Sequence, residues 1–218
     1  MVKINIIIVG VEGQGVEMAD DILGEVALEA GLAVKKMDMQ GIAQHDGSIV
    51  TQLRVGEKGA APLTGEDEAD ILLAFEKREA ARWSDYLRPG ASAVVNDLTI
   101  PPLSVDPGGE SLPKDDEITD IFRNSVANVM LIKGSQRVAE MGDRTVLSAF
   151  MLGALSILLP FNPGLWEKVI ARQLPPKILD INLAAFKQGR RDMLEMFSTM
   201  TDEDSCDTKT HDDDCGCH

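Results

Sequence analysis

Six short apolar runs alternate along the chain with amphipathic stretches, and their spacing predicts an α/β domain. Lys3–Val9 is a short, β-branched apolar run, consistent with a buried central strand. After the turn Gly10–Gly15, apolar residues recur at 16, 19, 22, 23, 26, 27 and 30. That is helical spacing for Val16–Ala30, with Gly31 as its stop. Ala33–Asp38 reads as a second strand and Ser48–Val55, which alternates, as a half-exposed third. Ile71–Phe75 and Ala93–Asn96 are further strands, joined by a helix near Lys77–Leu87 that Pro89-Gly90 ends. Thr99–Lys114, rich in proline, is expected to be a surface loop, and Val129–Ile132 the last strand. Helices follow at Asp143–Leu159, from the Asn162-Pro163 cap through Gln173, and at Ile178–Phe197. A β-α-β opening implies a Rossmann-like, open, mostly parallel sheet with helices on both faces, here with a helical C-terminal part.

Composition narrows the class. The chain has 218 residues, 44% hydrophobic and 26% charged, which suits a globular domain. A net charge of −15 and only 4% aromatics argue against nucleic-acid binding. The longest apolar stretch, Ala149–Phe161, is too short to span a membrane. The apolar run Ile4–Val9 is too short for a signal peptide, and Glu12 follows it, so a cytoplasmic location is expected. Phe150, Met151, Leu152, Leu155, Leu158, Leu159 and Phe161 are more than one helix face needs, which fits either a fully buried helix or a partner-facing one. Residues 201–218 differ from the rest. They carry seven acids against one lysine, and all three cysteines of the chain, Cys206, Cys215 and Cys217. The reading is therefore one domain over 1–200 and a mobile acidic tail over 201–218.

Strand, glycine turn and helix form the setting of a phosphate site. In Gly10-Val11-Glu12-Gly13-Gln14-Gly15, however, Glu12 stands at the close-approach position of a dinucleotide fingerprint. Asp38 falls where a ribose-binding acid would sit, so NAD binding by a free-standing oxidoreductase stays open as an alternative. Tyr86, the only tyrosine, has no lysine four residues on, and the chain has no Gly-x-Ser-x-Gly elbow or phosphate-binding Gly-Lys-Ser/Thr loop. A second polar loop, Gln40–Ser48, carries His45, the only histidine before the tail, which has the chemistry to contact an anion or shuttle a proton.

The ordered set of motifs resembles the gamma subunits of the 2-oxoacid:ferredoxin oxidoreductases, including the beta subunits of indolepyruvate ferredoxin oxidoreductases. Val9-Gly10-Val11-Glu12-Gly13-Gln14-Gly15-Val16 is similar to that family's Val-Gly-x-Gly-Gly-Gln-Gly-Val. Gly41-Ile42-Ala43-Gln44-His45-Asp46-Gly47-Ser48-Ile49-Val50 is similar to its Gly-Met-Ala-Gln-Arg-Gly-Gly-Ser-Val-Val. Ala69–Glu76, Tyr86–Gly90, Val95-Asn96, Met151–Leu155 and Asn182-x-x-Ala185-Phe186-x-x-Gly189 continue the match over roughly residues 3–195. Three positions depart from the pattern: Glu12 and Asp46 replace glycines and His45 an arginine, each making the loops more negative.

The resemblance implies one subunit of a complex that oxidatively decarboxylates a 2-oxoacid to acyl-coenzyme A and reduces ferredoxin. Thiamine diphosphate with its magnesium and the iron–sulfur clusters would sit on partner subunits, because this chain lacks a Gly-Asp-Gly…Asn thiamine motif and has no cysteine before 206. The subunit would be inactive alone and would help form the access region for substrate and coenzyme A. Gly10, Gly13, Gln14, Gly15, Gln44, His45, Ser48 and Asn96 are the candidate contacts. A further alternative lies in the tail, where His211, Cys215, Cys217 and His218 have soft-ligand chemistry suited to zinc.

Overall fold

The computed structural model describes residues 3–39, 47–56, 64–100, 116–118, 120 and 128–206. The strands are β1 (Ile4–Val11), β2 (Val34–Met39), β3 (Ser48–Val55), β4 (Ala69–Ala74), β5 (Leu87–Asn96) and β6 (Asn128–Ile132). The helices are α1 (Val16–Glu29), α2 (Lys77–Arg82), α3 (Gly134–Glu140), α4 (Leu147–Leu155), α5 (Pro163–Gln173) and α6 (Pro176–Cys206). One sheet holds all six strands in the order β2-β3-β1-β4-β5-β6. β1, β4, β5 and β6 pair in parallel. β3 pairs antiparallel with both β1 and β2. The expected open, mostly parallel sheet is therefore present, with one reversed strand inside it.

The alternation of the central strand divides the core. Ile6 and Ile8 of β1 point to a large cluster built with α1, α4, α5 and α6, while Ile7 and Val9 point to the face of α2. A strand buried on both sides is apolar on both, which is why Ile6–Val9 lacks the in–out pattern. α5 starts as its residues dictate: Asn162 Oδ1 accepts from the Gly164 N–H at 2.8 Å, and Pro163 follows at the first turn.

The apolar stretch around α4 is core. Phe150, Met151, Leu152 and Leu155 are fully buried, and Leu159 and Phe161 nearly so. Of the two readings left open for it, the buried helix is the one observed. α4 crosses α6 at two glycines. A Cβ on Gly153 would lie 2.1 Å from the Phe186 carbonyl oxygen, and one on Gly189 would lie 2.0 Å from that of Phe150. The two sequence motifs that contain these residues thus meet in space. Beside the crossing, Trp166 stacks on Phe186 with ring centroids 5.8 Å apart.

The structure differs from the periodicity in four places. β3 is not half-exposed: Thr51, Gln52 and Leu53 are all buried, because the strand lies between β1 and β2. The helix after β4 ends at Arg82 and a 3-10 turn covers Ser84–Tyr86, so Pro89-Gly90 does not end it. Those two residues lie inside β5 instead, where Gly90 has φ +80° and the register with β4 shifts between Ala69 and Ile71. The helix α3 carries almost no apolar periodicity, and only Gly134 and Val138 are buried. The last helix starts at Pro176 and runs on to Cys206. No helix among the described residues is long and apolar enough to cross a membrane.

Candidate functional site

The carboxyl ends of β1, β4 and β5 lie side by side, and open α/β sheets bind ligands at such an edge. The glycine turn between β1 and α1 is held there from three directions. Gln14 bridges the turn: its Oε1 accepts from the Val11 N–H at 2.8 Å, and its Nε2 donates to the Phe75 carbonyl at 3.1 Å. Ser148 of α4 donates its hydroxyl to the Gly15 carbonyl at 2.8 Å. The Glu12 N–H donates to the Gly47 carbonyl at 2.9 Å, tying the turn to the start of β3. Gly15 has φ +80°, and a Cβ there would sit 2.0 Å from Ser148 Oγ, so the turn requires glycine at that point.

A second link runs through the same carbonyl. Asn96, fully buried, donates to the Phe75 oxygen at 2.9 Å and to Ser135 Oγ at 2.7 Å. Its Oδ1 accepts from the Ser135 N–H at 2.9 Å, capping α3, which has no cap of its own. One carbonyl thus joins the ends of β1, β4, β5 and the start of α3.

In front of the turn opens a cavity of about 480 Å³ lined by Glu12, Gly13, Gly15, Val16, Glu17, Gly47 and Ile49. α1 begins at Val16, and Gly15 before it provides no side-chain cap, so the positive end of the helix faces this space. Glu12 and Glu17 are both among the residues that line this space, and their negative charges oppose an anion there. Of the candidate contacts, Gly13 and Gly15 line the cavity. Gly10, Gln14 and Asn96 stand behind it, with both side-chain amides engaged internally. Ser48 shares the sheet face of Val50 and donates to Glu79 Oε2 at 2.6 Å. Gln44 and His45 lie outside the described residues, as do His211, Cys215, Cys217 and His218. Among the described residues no group of three or more metal-ligating side chains comes together.

The topology removes the geometric basis for NAD. A ribose-binding acid belongs on the strand beside β1, but β3 occupies that place and Asp38 sits one strand further out. Its carboxylate accepts from Thr51 Oγ1 at 3.2 Å and lies 3.6 Å from Lys36 Nζ.

The family model described as "Pyruvate ferredoxin/flavodoxin oxidoreductase" matches residues 5–191, from β1 into α6. The chain belongs to this family. Two curated relatives, both named indolepyruvate oxidoreductase subunit IorB, align over almost their whole length. That from Thermococcus kodakarensis is 33% identical over 90% of this chain and 98% of its own. That from Pyrococcus horikoshii is 32% identical over 91% and 100%. Among solved structures, the gamma subunit of a keto/oxoacid ferredoxin oxidoreductase from Geobacter sulfurreducens shares the fold with a TM-score of 0.68. Its identity is 18%, over 88% of this chain and 99% of that one. The 2-oxoglutarate:ferredoxin oxidoreductase from Magnetococcus marinus, with 2-oxoglutarate, coenzyme A and succinyl-CoA bound, gives a TM-score of 0.67 at 22% identity. The match covers 89% of this chain but 32% of that longer one.

Set against the family pattern, the structure gives the shared motifs physical content. The Gln of the glycine motif braces the turn, the Asn that ends β5 caps α3, and the glycines of the two late motifs let α4 and α6 touch. Sequence reasoning missed the acidic pair on the α2 side. Glu76 caps α2, accepting from the Arg78 N–H at 3.0 Å and the Glu79 N–H at 2.5 Å. Burial pushes the Glu76 carboxyl up from its ordinary value, and the nearby Glu79 charge adds to the effect. A Glu three residues before another Glu, just after a buried strand, was the available signal.

Proposed function

We propose that the chain is the gamma-type, non-thiamine subunit of a 2-oxoacid:ferredoxin oxidoreductase, and that its substrate class is an aryl 2-oxoacid of the indolepyruvate kind. The observation that carries this is the near end-to-end likeness to two indolepyruvate oxidoreductase subunits, at an identity well above that to the pyruvate and 2-oxoglutarate enzymes of known structure. The reading assigns the redox groups to partner subunits. Thiamine diphosphate does not fit the described residues: Glu12 and Glu17 would repel the diphosphate, and no acidic cluster for its magnesium is present among them. An iron–sulfur cluster does not fit either, since no cysteine precedes 206. Ferredoxin is reached through those partners, and a cytoplasmic location accompanies the reading.

In this reading the chain's own contribution is shape and polarity at the entrance to the reaction centre. Gly13 and Gly15 offer backbone groups to the cavity, Gln44 and His45 are its candidate polar side chains, and Ser48, committed to Glu79, anchors the strand beside it. Gly10, Gln14 and Asn96 keep that edge in register. The test is anaerobic purification of the untagged complex followed through this chain, with native mass and 2-oxoacid-dependent viologen reduction measured together. Co-migration with larger thiamine and iron–sulfur subunits, and activity with indolepyruvate, is the expected result. A lone 23.6 kDa chain in every active fraction would overturn it.

A further inference from the structure

The start of β3 is held within the sheet and from one of its faces. Within the sheet the Gly47 carbonyl accepts from the Glu12 N–H at 2.9 Å, one step beyond the Val11–Ser48 pair of β1 and β3. On the α2 side the Ser48 hydroxyl donates to Glu79 Oε2 at 2.6 Å, a length typical of a charge-assisted bond. Glu79 is only 4% exposed and is itself fixed. Its N–H is held by the Glu76 carboxylate at 2.5 Å, and its other oxygen lies 3.4 Å from an Arg82 guanidinium nitrogen. A carboxylate that is buried, held by its own helix and aimed at one hydroxyl is a costly way to fasten a strand end. Val50, two residues on from Ser48 and more deeply buried, is fastened by packing alone on this face.

We propose that Glu79 is a positioning residue for the site: through Ser48 it fixes the start of β3, and with it Gly47 and Ile49, which flank Ser48 and line the cavity. The functional part of this rests on the subunit reading above. The clamp itself rests only on the geometry. Glu79 touches no substrate in this account. It acts through Ser48, and Glu79→Gln, whose amide oxygen still accepts from the hydroxyl, retains most of the function.

The test uses the full chain and the reconstituted complex. In the full chain, amide exchange of residues 47–50 is measured for wild type, Glu79→Ala, Ser48→Ala and Glu79→Gln. Both alanine variants speed exchange there by roughly tenfold, while the glutamine variant stays near wild type. In the complex, both alanine variants raise the KM for the 2-oxoacid or coenzyme A by roughly tenfold, with kcat within about twofold, and the double variant is no worse than either. Wild-type exchange in both alanine variants overturns the clamp. Faster exchange with both KM values unmoved, or no rescue by glutamine, overturns the positioning role. A wild-type complex with no 2-oxoacid activity sinks the subunit reading instead, and the exchange result still decides the clamp. Ser48→Ala keeps the test decisive if Glu79→Ala does not fold.

Discussion

Adding a methyl group to Gly153 or Gly189 opposes two effects of different size. In an unhindered helix, Gly→Ala stabilises by about 1 kcal/mol. At the α4–α6 crossing the new Cβ would meet backbone, 2.1 Å from the Phe186 oxygen or 2.0 Å from the Phe150 oxygen, where real Cβ atoms keep at least 3.0 Å. Backbone cannot rotate aside as a side chain does, so the helices must part by about 1 Å in a core packed at crystal-like density. That movement loosens Phe150, Phe186 and the stacked Trp166, all fully buried. Overpacking of this kind costs roughly 3 kcal/mol, which outweighs the helix gain. The net loss is about 2 kcal/mol, and for a domain of this size the melting temperature then falls by about 4–8 °C. Gly24, inside α1, is the internal control: a Cβ there meets Leu53 at 3.7 Å and Val34 at 3.9 Å, ordinary contact distances. Gly24→Ala should therefore raise the melting temperature by about 2–4 °C. Because one parting of the helices accommodates both methyls, Gly153→Ala/Gly189→Ala should lose less than the sum of the singles. Thermal melts of the four variants and the wild type check this. Either crossing variant at or above wild-type stability would refute the argument.

Three further outcomes follow from individual polar groups, two of them buried and one on the cavity lining. Asn96→Ala leaves the Ser135 N–H without its acceptor and removes one donor from the Phe75 carbonyl, so it should cost about 2–3 kcal/mol in chemical denaturation, whereas Ser135→Ala should cost less. Asp20 is fully buried, and its burial pushes the carboxyl from 3.8 up to about 7, although Lys36 contacts it; Lys36 is shared with Asp21 and Asp38 and neutralises none of them alone. A carboxyl whose folded value lies above its unfolded one favours the fold at low pH and loses that contribution as pH rises from about 4 to about 7. The stability of Asp20→Asn relative to wild type should therefore improve over that window, and a pH-independent difference would count against the assignment. Glu12→Gly removes a carboxylate from the cavity lining; the KM for coenzyme A should fall about threefold or more at low salt, with the effect shrinking as salt is added. No change at any salt would mean that no anion approaches the turn.

The elements that could be read from the residues are those whose pattern has a single physical solution. A continuous β-branched run can only be a strand buried on both faces, which located β1, and Asn-Pro before an amphipathic segment located the start of α5. β3 shows the limit. An alternating run does not disclose its direction or its neighbours, so neither its antiparallel insertion between β1 and β2 nor the burial of Thr51 and Gln52 was visible. The same insertion moves Asp38 away from β1, and with it the dinucleotide geometry that the order of elements had suggested. In α4, composition showed excess apolar surface but not its destination, because the glycine pair that buries it is 36 residues apart in sequence. At the site, the glycine turn was legible from glycine chemistry. The occupation of Gln14 and Asn96 by the Phe75 carbonyl was not, since a backbone acceptor leaves no residue type to read.

The most direct measurement of the central claim is viologen reduction by the reconstituted complex, with and without this chain, in parallel on indolepyruvate, pyruvate and 2-oxoglutarate. The account predicts no turnover without the chain, and with it a kcat/KM for indolepyruvate at least about a hundredfold above the two aliphatic oxoacids. Full activity in the absence of the chain, or none on any 2-oxoacid in its presence, would contradict it.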